Sequence, residues 1–269
     1  MNSHFPDRPF AVDQSSRAIL AREPSGKAIL FVHGYGGNAL ATWSNFDSLL
    51  SDSQLCRGHD LIFYGYDGLY SDTVASAAIL LEFLDSLFTT PAHLVNAALP
   101  LSARRPADFK YSQILIAAHS LGAVIARWAL LMALDQAREW PRRTRLVLFA
   151  PAHRGANIVK IALESLSGFR AMQILSGLAR FRSPLIDQLA EGSIYLRELQ
   201  ERVDRAVGKS DDHCLLARRV FVAQHEKVVV NLPFSRDPYP ISIQESDHFS
   251  VCKPERASDR SVEKLLELI

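Results

Sequence analysis

Long apolar runs are missing from this sequence. Its longest ones, such as Ala75 to Leu84 and Ala129 to Leu134, are interrupted well before the ~20 residues that a bilayer span requires, so no transmembrane segment is expected. The opening MNSHFPDRPFAVDQSSRAIL scatters Asp, Arg and Pro where a secretory leader would place a basic cluster and then an unbroken apolar core, and it reads as unprocessed. Cysteine is scarce. Cys56, Cys214 and Cys252 are odd in number, widely spaced and lack a C-x-x-C pair, which argues against a disulfide framework and a cysteine zinc site and suits a reducing, cytoplasmic compartment. Charge of one sign is missing too: 30 Lys and Arg against 29 Asp and Glu leave +1, no global field to draw in nucleic acid or an anionic membrane. Peripheral membrane contact and oligomeric state are left open by the sequence. It contains no internal repeat and no low-complexity tract.

What is present is the composition of an ordinary globular protein, with 48% hydrophobic and 22% charged residues. Strand and helix patterns alternate along it. Ala28 to Val32 is a buried-strand run feeding His33-Gly34-Tyr35-Gly36-Gly37, and Leu61 to Tyr64 runs into Gly65-Tyr66-Asp67-Gly68 ahead of a helix over Ser71 to Phe88. Tyr111 to Ala117 is followed directly by a helix from Leu121 to about Trp140, where Pro141 stops it. Arg145 to Phe149, Arg219 to Ala223 and the shorter Tyr239 to Gln244 complete the strands. Runs apolar on both faces predict a mostly parallel α/β sheet flanked by helices, in one domain over residues 1–269.

Between Phe149 and Val220 lie about 70 residues, more than a crossover helix needs. Helical spacing in Ile158 to Leu166, Phe169 to Leu178 and Ile194 to Val207 predicts a helical cap inserted at about 156–215, after the sixth core strand. Arg154, Arg170, Arg180, Arg182, Arg197, Arg202 and Arg205 lie in or beside it among Leu, Ile and Phe. They suit either an acyl chain beside an anionic head group or a solvated helical face.

The strongest chemical signal is Ala118-His119-Ser120-Leu121-Gly122 between a strand and a helix. A reversal there forces the central residue into a strained turn and requires small residues two positions either side. It projects the Ser120 hydroxyl above the carboxyl edge of the sheet and sets the Leu121 N–H beside it, at a helix start that favours negative charge. The segment resembles the nucleophile elbow of the α/β-hydrolase superfamily, G-x-S-x-G, with Ala118 in place of the first Gly, a form also found among bacterial lipases. The resemblance implies an oxyanion loop after an earlier strand, and Phe31-Val-His33-Gly34-Tyr35-Gly36 matches it. The backbone N–H groups of Tyr35 and Leu121 are then the expected oxyanion donors.

A serine hydroxyl needs a base, and in this superfamily the histidine comes last in the chain. Of nine histidines, His248 follows the last expected strand. Asp247-His248-Phe-Ser-Val-Cys-Lys253-Pro254 resembles the ending of lipase-like hydrolases in the SERAC/PGAP-like group. The acid is expected in the loop after the preceding strand. Glu226, in Glu226-Lys-Val-Val, is the candidate and Asp237 its rival, whereas Asp247 adjoins the histidine and would have to reach round to its ring. His33 is expected to brace the oxyanion loop, His119 to pack sideways, and Tyr66 and Asp67 to lie near the site outside the chemistry. Phe149-Ala-Pro151-Ala-His153-Arg-Gly155 resembles a turn that opens toward substrate, where His153 either contacts substrate or packs.

The resemblance thus implies a serine carboxylester hydrolase, lipase- or esterase-like, acting on a small-molecule or lipid ester without metal or organic cofactor. Carboxylesters, phospholipid acyl chains and thioesters stay open, as does acyl transfer to an alcohol. A catalytically silent or partner-gated binding scaffold is the alternative.

Overall fold

The computed structural model describes residues 3–68, 72–96, 99, 104–157, 160, 187–208 and 213–269. Eight strands form one sheet: β1 (His4–Ala11), β2 (Arg17–Ala21), β3 (Lys27–Val32), β4 (His59–Tyr64), β5 (Gln113–His119), β6 (Thr144–Phe149), β7 (Ala217–Ala223) and β8 (Ile241–Ile243). Their order is β1-β2-β4-β3-β5-β6-β7-β8, with β1 and β2 antiparallel to their neighbours and every pairing from β4 to β8 parallel. The two amino-terminal strands were not expected. β1 contains Pro6 and Pro9, which cannot donate to a ladder and are tolerated only at a sheet edge, the place β1 takes.

The inner strands are buried on both faces, as the apolar runs of Ile29 to Val32 and Ile114 to Ala118 require. Register fixes what happens at their ends. Val32 lies opposite Ala118 and Tyr64, so β3, β4 and β5 finish level and deliver His33, Gly65 and His119-Ser120 to one edge. Asp60 in β4, fully buried, locks the other side: it accepts from the Ala21 N–H (2.8 Å), Arg105 (2.7 Å) and the Tyr111 hydroxyl (2.6 Å).

Helices α1 (Phe46–Ser51), α2 (Thr73–Thr89), α3 (Pro91–Asn96), α4 (Leu121–Asp135), α5 (Ile194–Val207) and α6 (Arg260–Leu266) surround the sheet. Helix α2 starts where the Asp72 carboxylate accepts the Ala75 N–H (2.9 Å). Helix α4 is buried along nearly its whole length and packs against α2 and α5. It ends at Asp135, before the Trp140 expected from Pro141, because Ala137 turns into the left-handed region at φ 54°; Trp140–Arg143 is a separate 3₁₀ turn. Helix α5 coincides with the expected segment. Ser193 caps it, Leu196, Leu199, Val203 and Val207 face inward, and Tyr195 rests on Trp128 of α4 at 5.1 Å.

The helices expected within Ile158 to Leu166 and Phe169 to Leu178 lie outside the described residues, as do Arg170, Arg180 and Arg182. Two of the remaining arginines are engaged with protein: Arg202 pairs with Asp135, and Arg154 donates to the Pro233 carbonyl and to Gln200.

Candidate active site

Ser120 stands between β5 and α4 with φ 53° and ψ −119°, a conformation that costs a non-glycine residue on the order of 1–3 kcal/mol. Neighbouring backbone holds it there. Its N–H donates to the Phe149 carbonyl (2.9 Å), and its own carbonyl accepts from Ala123 (3.1 Å) and Ala152 (3.3 Å). The turn also needs glycine on both flanks of the contact. A Cβ at Gly122 would come within 2.3 Å of the His33 carbonyl oxygen, and one at Gly34 would meet the Ser120 Cβ at 2.8 Å.

His248, in the loop after β8, brings Nε2 to 3.0 Å from the Ser120 Oγ, and its Nδ1 lies 3.1 Å from Glu226 Oε2. The carboxylate can only accept, so Nδ1 carries the proton and Nε2 is the acceptor facing the serine hydroxyl. Glu226 is aimed by its own loop: Oε1 accepts the N–H groups of Val228 (2.8 Å) and Val229 (3.1 Å). That loop is in turn pinned to the segment after β6 by Asn157 N–H to the Val228 carbonyl (2.9 Å) and by the Ala156–Val229 bridge. Burial alone would raise the Glu226 carboxyl; hydrogen bonding to His248, the nearby ring and the two N–H groups outweigh it and hold the group below its ordinary value.

His119 donates from Nε2 to the His248 carbonyl (2.8 Å) and so fixes the backbone of His248. Desolvation, then the neighbouring His248, keep its own ring neutral. His33 donates from Nδ1 to the Gly34 carbonyl (2.9 Å), accepts the Tyr66 N–H on Nε2 (3.3 Å) and stacks on the Tyr66 ring at 4.3 Å. Burial pushes its pKa down to about 4. Both rings are structural supports of the loops around Ser120.

A cavity of about 270 Å³ opens over the serine, lined by Gly34, Tyr35, Thr42, Ser120, His248 and Lys253 among others. Leu121 is the first residue of α4, so its N–H has no acceptor within the helix. Lys253 and Thr42 were not singled out from the sequence, although the Lys-Pro pair belongs to the quoted ending. Cys252 Sγ donates to the Thr42 carbonyl (3.2 Å), and Asn45 donates to the Pro254 carbonyl (2.9 Å), which ties this ending to the loop ahead of α1.

Asp237, the rival acid, is elsewhere. It forms an ion pair with the fully buried Arg127 of α4 and accepts the Ala217 N–H (2.8 Å). Asp247 accepts the N–H groups of Phe249 (3.0 Å) and Ser250 (2.8 Å) in a local turn. His153 is 2% exposed, lies against the Phe234 ring at 4.5 Å with the two planes tilted, and is not among the described residues lining the cavity over Ser120; its placement is that of a packed side chain. Among the described residues no group of three His, Cys, Asp or Glu side chains is arranged to hold a metal ion, and no helix is long and apolar enough to cross a membrane.

No family profile matches the chain, and no curated protein sequence does. Solved structures match in three dimensions. The chain is similar to the lipase BlEst2 of Bacillus licheniformis in its mature form, at 15% identity and a TM-score of 0.57, over 97% of this chain and 98% of that one. It is similar to the peroxisomal alpha-beta-hydrolase Lpx1 of Saccharomyces cerevisiae at 12% identity and 0.51, over 99% and 82%. A third match is MGS-MChE2, an alpha/beta hydrolase from a lagoon-sediment metagenome, at 15% identity and 0.50, over 97% of both chains.

Proposed function

The chain has the α/β-hydrolase fold, and on that premise we propose that it is a serine hydrolase of carboxylic esters in which Ser120 is the nucleophile, His248 the base and Glu226 the acid. The observation that carries this reading is the unbroken relay from Ser120 Oγ through His248 (3.0 Å) to Glu226 (3.1 Å), built on a positive-φ elbow.

In the first half-reaction Ser120 Oγ attacks the ester carbonyl carbon as His248 Nε2 takes its proton. Negative charge forming on the carbonyl oxygen is received by the N–H groups of Tyr35 and Leu121, at the start of α4 where the helix end favours it. The imidazolium, steadied by the Glu226 carboxylate, passes its proton to the departing alkoxide. Water, deprotonated by the same ring, then releases the acid. The alcohol side of the substrate and its acyl length are set by the cavity over Ser120 and by the proposed cap.

The experiment is fluorophosphonate labelling of the wild type and of Ser120→Ala, followed by turnover of p-nitrophenyl esters of increasing chain length. Labelling that is confined to the wild type is the expected result, and the preferred chain length then separates esterase from lipase. A folded wild type that neither labels nor turns over any of these esters overturns the enzyme reading in favour of a hydrolase-fold binding protein.

A further inference from the structure

The amino-terminal edge of the parallel sheet, remote from Ser120, holds a second cavity of about 660 Å³. It opens where β5 and β6 begin, at Gln113 and Thr144, and its charged lining consists of Arg142, Arg143, Arg145 and Arg218 with His213 alongside. Among the described residues no carboxylate lines it; Asp211 and Asp212, next to His213 in the chain, lie outside them. The volume falls within the range of small-molecule sites, about 300–1,000 Å³. Such sites are mostly apolar, whereas an uncharged guest here would desolvate guanidinium groups without giving them a partner.

The arginines differ in how they are held. Arg143 donates to the Tyr111 carbonyl (3.1 Å) and lies over the Phe88 ring at 4.7 Å, so its position is fixed. The side chains of Arg142 and Arg145 are exposed and form no hydrogen bond or ion pair with another described residue. His213 accepts the Leu215 N–H on Nδ1 (3.2 Å), so its neutral ring carries the proton on Nε2 as a further donor. Desolvation, and after it the neighbouring Arg145, lower Arg218 below the usual arginine range.

We propose that this cavity binds a ligand carrying two adjacent phosphate groups, gripped by Arg142 and Arg145 with Arg143 and Arg218 beside them. A single carboxylate would match only one of the two exposed guanidinium groups, Arg142 and Arg145, whereas each phosphate monoester brings about −1.5 to −2 charges and an oxygen geometry that suits the guanidinium fork. Strand β5 spans seven residues from this cavity to the elbow, about 20 Å at the usual rise, so the two cavities open at opposite ends of the sheet. The assignment is independent of the reaction at Ser120.

Pyrophosphate titrated calorimetrically into the full chain, at physiological ionic strength, tests it. Saturable binding to a single site is expected, weaker by about tenfold or more in Arg142→Gln/Arg145→Gln. The Arg142→Lys/Arg145→Lys variant, which keeps charge but loses the fork, should fall in between. Melting temperature and fluorophosphonate labelling should stay at wild-type values in both variants, since the two side chains are exposed and remote from Ser120.

Phosphatidylcholine vesicles with and without phosphatidylinositol bisphosphate identify the source of the ligand. Sedimentation with the bisphosphate vesicles, competed by pyrophosphate, assigns a lipid head group; pyrophosphate binding without sedimentation assigns a free phosphorylated compound. Absence of saturable pyrophosphate binding by the wild type overturns the proposal, and so does equal affinity in the Gln variant or equal affinity for sulfate.

Discussion

At Glu226 the geometry separates two jobs that one carboxylate performs. Oε1 is spent on the Val228 and Val229 N–H groups, and Oε2 is left to hold the His248 tautomer. A Glu226→Gln side chain keeps the shape and can keep the backbone bonds, yet it no longer stabilises a positive imidazole. On the proposed mechanism kcat should fall by about 10²- to 10⁴-fold with little change in melting temperature, as steady-state kinetics beside a thermal melt would show. The serine itself was legible in the sequence because its neighbours must be small. Glu226 was the candidate acid and Asp237 its rival, a contest the sequence alone could not close because both lie in loops whose path depends on contacts far along the chain.

Among the elements, helix α4 does more than start beside Ser120. Its Arg127, fully buried, pairs with Asp237 and lies over the Phe234 ring at 4.3 Å, clamping the segment after β7 to the helix. Removing one partner of such a pair leaves an uncompensated buried charge, which typically costs about 3–5 kcal/mol. Asp237→Asn should therefore lower the denaturation midpoint markedly while fluorophosphonate labelling at low temperature persists. Loss of labelling in a variant that is still folded would return Asp237 to candidacy as the triad acid. The inner strands and α5 were read from sequence because burial on both faces, or on one helical stripe, imposes a period. β1 was missed because prolines mask a strand that is tolerable only at an edge, and edge position is a property of the finished sheet.

For the molecule as a whole, acid is the predicted weakness. His33 is held down to about 4, and His119 and His153 are held well below the ordinary value, in each case chiefly by desolvation. Between the unfolded value near 6.5 and the folded one, the unfolded chain binds protons that the native state refuses, so stability falls as pH drops through that window. Glu226 works the same way at lower pH. Its folded value is depressed, so its contribution is complete above the ordinary glutamate range and is lost as pH falls through the lower folded value. Melting temperature measured from pH 7 to pH 4 should decline steadily, and a His33→Gln variant that remains folded should show a shallower decline.

The sequence by itself determined that this chain forms a mostly parallel α/β sheet and that Ser120 sits at a strand-to-helix reversal, since apolar periodicity and the steric demand for small residues are local. It indicated His248 through order along the chain. It also named Glu226 as candidate acid and His33 and His119 as supports, but only the tertiary structure has Glu226 within hydrogen-bond distance of His248 and Asp237 paired with Arg127 instead. The tertiary structure also decided that arginines separated in the chain share one cavity. A net charge of +1 gives no hint of that cavity, because opposite charges that cancel in a sum need not be neighbours in space, and the parallel register of β5, β6 and β7 is what gathers these arginines at one edge.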